Sequence, residues 1–244
     1  MVDWYDDTSA SRVLPTTLRE ELLNRGFVVV PEVVPSLRLD ALRRACDVAV
    51  SEADPGDLRV GSTSTRVRGL TGRCQELDEL FINRIVLEAC ACIIQRPFKL
   101  SSLLARTVIP GSTAQDFHMD IQRDENGWPM AGFIVMVDDF RTGNGATRFV
   151  PASHVWQSDL GDSMKKPTGG HETQVLACGR AGSVIIYNSS IWHGHAANRS
   201  ARPRRSIQGA YIRRDATAAT NHAARLSPDA LGRLGSLAAY LLAV

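Results

Sequence analysis

The sequence predicts a mostly β fold with flanking helices, arranged as a barrel or jelly roll. Three observations carry this. Up to about residue 98 the apolar residues recur at helical spacing, whereas from Lys99 onward they fall into runs of strand length. Turn signals, Pro110-Gly111 and Gly143-Asn144-Gly145 among them, punctuate those runs. Many short strands with turns between them point to a barrel or jelly roll rather than a parallel sheet. With 244 residues, 44% of them apolar, the chain can bury a sizeable core. It reads as one domain over 1–244: a helical part at about 1–98, a jelly-roll core at about 99–215 and a C-terminal helix at about 227–243.

The first helix is expected near Thr17, where Thr17-Leu18-Arg19-Glu20 fits a capping box, and it ends at Gly26. Phe27-Val28-Val29-Val30 reads as a buried strand. Pro35-Ser36 opens a second helix with Leu39, Leu42, Cys46 and Ala49 on one face. Residues 54–75, polar and rich in Gly and Pro, read as a long loop. A single third helix is expected over 76–95. Strands follow at 100–109, 115–121, 131–137, 146–150, 173–178, 183–187, 192–197 and 206–212. Residues 164–170 read as a Gly-rich loop, and Ser227-Pro228-Asp229 caps a final helix.

The net charge of +2, from 28 basic and 26 acidic residues, gives no reason to expect nucleic acid. No apolar run approaches a membrane span. Residues 1–7 lack an apolar signal core, so a cytoplasmic location is expected. The five cysteines are odd in number and mostly inside apolar patterns, which suits buried free thiols in a reducing compartment.

The chemistry concentrates at His118-Met119-Asp120. Side chains two apart on a strand share a face, so this spacing presents an imidazole and a carboxylate together. A third ligand is expected from Ile191-Trp192-His193-Gly194-His195, where either His193 or His195 could serve. Two His and one carboxylate on one face of an ion are the pattern of a non-haem Fe(II) site. Arg204 follows on the next expected strand.

These residues carry a resemblance. Gly111 to Asp120 resembles the "PG…Q…HxD" motif of the phytanoyl-CoA dioxygenase family. Asn144-Gly145-Ala146-Thr147-Arg148-Phe149-Val150-Pro151-Ala152-Ser153-His154 is similar to its "NGAxxxxPGSH" segment, with Ala152 in place of glycine. Trp192-His193-Gly194, Asn198-Arg199-Ser200 and Pro203-Arg204-Arg205 resemble its "HG…N.S…R" ending. The resemblance spans about residues 20–215. It implies a double-stranded β-helix of the cupin type, Fe(II), 2-oxoglutarate as co-substrate and O2. It also implies His118, Asp120 and His193 as metal ligands, because the family's ligand stands immediately before glycine.

Arg204 would then pair with the distal carboxylate of 2-oxoglutarate through its planar fork. Gln115 is a candidate for orienting the co-substrate, and His195 for lining its site or touching substrate. His154 reads as structural. The carboxylate of Asp120 argues against halogenation, in which related enzymes have a small residue there. Loops 54–75, 122–130 and 155–172, with Arg66, Arg68, Trp128, Trp156, Lys165 and Lys166, are expected to choose a small-molecule substrate. A non-oxidative cupin-like enzyme or a catalytically silent binding protein are the competing classes.

Overall fold

Strands β4 (Phe98–Val108) and β10 (Arg204–Arg213) pair antiparallel along their length and form the spine of the larger of two sheets. The structure, a computed structural model, describes residues 4–156 and 169–244. Before the spine come helices α1 (Trp4–Ala10) and α2 (Thr16–Arg25), strand β1 (Phe27–Val30) and helix α3 (Leu39–Ser51). The hairpin β2 (Leu58–Val60) and β3 (Ser64–Arg68) follows, then helices α4 (Gln75–Phe81) and α5 (Arg84–Ile94). Between the spine strands lie β5 (Met130–Met136), β6 (Thr147–Phe149), β7 (Val175–Ala177), β8 (Val184–Asn188) and β9 (His193–His195). Helices α6 (Pro228–Arg233) and α7 (Ser236–Leu242) close the chain.

The larger sheet has seven strands in the order β1-β8-β5-β10-β4-β3-β2, and the smaller has three in the order β7-β6-β9. Alternation along each strand splits the core into two layers. Phe133, Val135, Val184, Ile186 and Ile207 face the helices, with α5 buried against them. Ile134, Met136, Ile185 and Tyr187 face the small sheet, where Phe149 stacks on Phe27 at 4.3 Å. The fold is the double-stranded β-helix, with the helices banked on its outer face.

Several elements depart from the sequence expectation. No capping box forms at Thr17: the helix starts at Thr16 with Pro15 as its cap, so Thr17 already lies inside it. Its end is as expected, with Gly26 in the left-handed conformation at φ 80°. Residues 54–75 are not all loop, because β2 and β3 pair and β3 joins the edge of β4. The single helix expected over 76–95 is two, split where Asn83 Oδ1 caps α5 by accepting from the amides of Ile85 and Val86. Ser227 caps the C-terminal helix as expected, but that helix also breaks before Gly235.

Glu88 ties the N-terminal segment to the core. Its carboxylate is fully buried on α5 and accepts from Ser11 Oγ, the amides of Val13 and Leu14, and Arg19. Cys46 and Cys90 are buried, while Cys178 is exposed. No helix among the described residues is long and apolar enough to cross a membrane.

Candidate metal centre

The segment around His118 is extended but is not the regular strand expected over 115–121. It is held by point contacts instead. His118 and His193 exchange both backbone hydrogen bonds at 3.0 Å, Gln115 N donates to His195 O, and Asp120 N donates to Ser189 O. Arg148 adds a clamp, with Nη2 donating to Gln115 O at 2.6 Å and its guanidinium 4.0 Å from the Phe117 ring centroid. Gly194 suits this close approach. A Cβ there would lie 3.0 Å from the carbonyl oxygens of Gln115 and Asp116.

The result is one cluster. Ligand atoms of His118, Asp120 and His193 all lie within 4.8 Å of one another. His118 Nδ1 donates to Asp116 O at 3.1 Å and His193 Nδ1 donates to Ile191 O at 3.0 Å. Each bond fixes the tautomer that leaves the Nε2 lone pair free. Burial, reinforced by His193 beside it, pushes the His118 imidazole down to about 4, so it is neutral near pH 7. The two oxygens of Asp120 are divided. Oδ2 accepts from Tyr187 Oη at 3.0 Å, and Oδ1 lies 3.8 Å from His193 Nε2. Tyr187 stays protonated because burial, with Asp120 beside it, raises its phenol well above the ordinary value. Its ring occupies space left by Gly132, where a Cβ would lie 2.3 Å from it.

The cluster opens into a cavity of about 250 Å³. Arg204 lines it, buried to 1% exposure. Its Nη2 donates to Gly145 O, its Nη1 to Ser206 Oγ, its guanidinium lies over Phe140 at 4.0 Å, and its Nε has no partner. No carboxylate reaches it among the described residues, and burial pushes it down to about 9. A buried cation without a counter-ion is costly, so an anion entering this cavity would be stabilised by Arg204.

Gln115 also lines the cavity, with Oε1 accepting from Arg106 Nη2 at 2.7 Å. His195 is not part of the cluster. Its Nδ1 donates to Ala196 O and its Nε2 accepts from Thr63 Oγ1, although the ring lines the same cavity. His154 is buried at the Pro151-Ala152-Ser153 turn and packs against Trp128.

The cavity contains residues that sequence reasoning passed over: Arg106, Thr147 and Tyr187, with Ala219 from the segment after β10. That segment is pinned by Ala219 N and Thr220 N on Ser101. A charged residue at an inward position of a predicted strand was the available signal for Arg106. Of the side chains expected to select substrate, Arg66 lines the cavity, whereas Arg68, Trp128 and Trp156 do not. Lys165 and Lys166 lie outside the described residues.

Residues 23–206 match the model of the phytanoyl-CoA dioxygenase family. The chain belongs to that family. It stands with it among the iron- and 2-oxoglutarate-dependent dioxygenases, whose second co-substrate is O2. Within this grouping it is similar to the dioxygenase olcK of Penicillium canescens, at 26% identity over 77% of this chain and 67% of that one. It is also similar to the iron/alpha-ketoglutarate-dependent dioxygenase okaE of Penicillium ochrochloron, at 23% identity over 75% of this chain and 65% of that one. The chain thus spans about two thirds of the length of these relatives. Among solved structures it resembles the non-haem alpha-ketoglutarate-dependent carbocyclase SnoK from nogalamycin biosynthesis. The TM-score is 0.70 at 20% identity, covering 92% of each chain.

Proposed function

We propose that this chain oxidises, by hydroxylation, an unactivated C–H bond of a small-molecule substrate, with release of succinate and CO2. The observation that carries the reading is one cavity holding both the His118–Asp120–His193 cluster and an unpaired buried arginine, Arg204. The donor set fits Fe(II): two imidazoles presenting free Nε2 atoms and one carboxylate, with no thiolate. Arg204 fits the distal carboxylate of 2-oxoglutarate, which would supply its missing counter-charge.

In this reading His118 and His193 hold the iron through Nε2, and Asp120 holds it through Oδ1 while Tyr187 occupies Oδ2. Gln115 has its oxygen committed to Arg106, which leaves its amide protons for the co-substrate's carboxylate. Thr147, buried and hydroxyl-bearing, stands beside them. His195, with both nitrogens engaged, forms wall rather than ligand. When bound, iron and 2-oxoglutarate supply the oxidant for hydrogen abstraction. The chain contributes orientation and shelter from water.

The test is anaerobic reconstitution with Fe(II) followed by 2-oxoglutarate. A visible metal-to-ligand charge-transfer band is expected, and on admitting O2 with a pool of small metabolites, stimulated succinate formation. A missing band together with no succinate rejects the assignment. Product analysis separates hydroxylation from ring closure, the type of reaction named for SnoK.

A further inference from the structure

Two further guanidiniums in the cavity have no acidic partner. Arg66 on β3 and Arg106 on β4 are directly opposite each other in the strand register. Like charges opposite one another on neighbouring strands destabilise a sheet unless something compensates them. Arg106 is 8% exposed, its one hydrogen bond is to the neutral Gln115 Oε1, and its Nε is unpartnered. Arg66 is half-buried, and its side chain makes no hydrogen bond or ion pair among the described residues. Asp120 is the one carboxylate among the residues lining the cavity.

Charge accounting leaves this pair over. On the function proposed above, iron(II), a doubly charged 2-oxoglutarate, Asp120 and Arg204 together carry no net charge. Arg66 and Arg106 remain as two positive charges, one of them deep in the protein, and burial with Arg66 nearby pushes Arg106 down to about 10. Ser101, Ser102 and Gln208, polar and uncharged, line the same cavity together with Leu104. At about 250 Å³ the cavity is below the roughly 300–1,000 Å³ range of ligand pockets, so beside 2-oxoglutarate it admits one end of a substrate.

We infer that Arg66 and Arg106 form an anion subsite that selects a substrate bearing an oxyanion, a carboxylate or phosphoryl group, and orients it against the metal cluster. The inference rests on the proposed dioxygenase function. Neutral substrates would leave Arg106 desolvated and unpaired, so the preference for anions is set by the cost of an empty subsite as well as by attraction.

The experiment uses the full chain loaded anaerobically with Fe(II) and 2-oxoglutarate. The probes are butanoate and benzoate, each against its neutral amide, and inorganic phosphate, with affinity read from paramagnetic relaxation of the probe nuclei. The expected result is binding of at least one anion about tenfold or more tighter than the amides. Phosphate outbinding the acids would assign the phosphoryl group, and the reverse would assign the carboxylate. The preference should shrink to within about twofold in Arg66→Ala, which removes no hydrogen bond of the described fold, and in Arg106→Gln. In parallel, the charge-transfer band should report 2-oxoglutarate weakened about tenfold or more by Arg204→Ala but within about threefold of wild type in Arg66→Ala.

Equal affinity for acids, amides and phosphate would overturn the inference, and so would a preference that survives both substitutions. Loss of 2-oxoglutarate in Arg106→Gln as severe as in Arg204→Ala would assign Arg106 to the co-substrate instead. A wild type that shows no charge-transfer band, yet still prefers anions through Arg66 and Arg106, would reject the dioxygenase function and leave the anion subsite standing.

Discussion

Tyr187 donates its phenol proton to Oδ2 of Asp120 at 3.0 Å, and so decides which carboxylate oxygen faces the two imidazoles. Partners of this kind orient a ligand and typically change metal affinity by about 10–100-fold when removed. Tyr187→Phe keeps the buried ring and removes the proton. Fe(II) affinity, titrated anaerobically, should fall by about tenfold or more. The thermal midpoint of the metal-free protein should move little, because Asp120 can turn to water.

Arg204 sets a trade-off between stability and binding. Replacing a buried charge by an apolar residue of similar volume is often neutral or stabilising. Arg204→Met should therefore leave the ligand-free thermal midpoint unchanged or raise it. In the same variant, 2-oxoglutarate should no longer raise the midpoint as it does in wild type with metal present. A clear loss of ligand-free stability would contradict this account.

Ala152 occupies the position where the family motif has glycine, and it adopts φ 61°. A Cβ in the left-handed region costs about 1–2 kcal/mol, partly offset by the greater freedom of glycine in the unfolded chain. Ala152→Gly should stabilise the protein by about 0.5–1 kcal/mol, measured by denaturant midpoint at constant slope.

Glu88 anchors the residues after α1. Removing the carboxylate takes the acceptor from three donors, Leu14 N among them buried, and from the Arg19 guanidinium. Glu88→Leu should cost about 3 kcal/mol or more in unfolding free energy. Arg19→Ala should cost less, because that side chain is 31% exposed and water replaces part of what it loses.

The stability of the metal-free protein should fall on the acid side. Burial holds the imidazoles of His154 and His222 below the ordinary histidine value. The unfolded chain therefore binds more protons than the folded one in this range, and stability rises with pH. The contribution is complete above the unfolded value of about 6.5 and is lost as pH falls from there towards the lower folded values. His222→Gln should flatten the slope of unfolding free energy against pH below about 6.5. An unchanged slope would show that His222 does not carry it.

What could be read from the chain was whatever depends on local spacing. The shift from helical to strand period, the glycine stop at Gly26, the Ser227 cap and the His118-x-Asp120 pair are all encoded within a few residues. What could not be read depends on contacts between distant segments. The β2–β3 hairpin looks like loop because its exposed strand β2 carries no burial pattern and exists by pairing. The break at Asn83 hides inside a continuous helical pattern, since a cap there is visible only once the chain has turned. Tyr187 reads as one more apolar residue in Val184–Asn188, and only the opposing Asp120 makes it a partner of the cluster. Arg106 and Arg66 lie far apart in sequence, and their juxtaposition exists only in the register of two strands.

The reciprocal amide bonds between His118 and His193 tie the two imidazole-bearing segments together through the backbone. A set of two imidazoles and a carboxylate binds divalent ions in the order of their intrinsic affinities, in which nickel and cobalt outrank iron. Discrimination must then come from outside the chain, from whichever ion the cell makes abundant while the protein is young, and recombinant preparations should carry a mixed cargo that follows the growth medium.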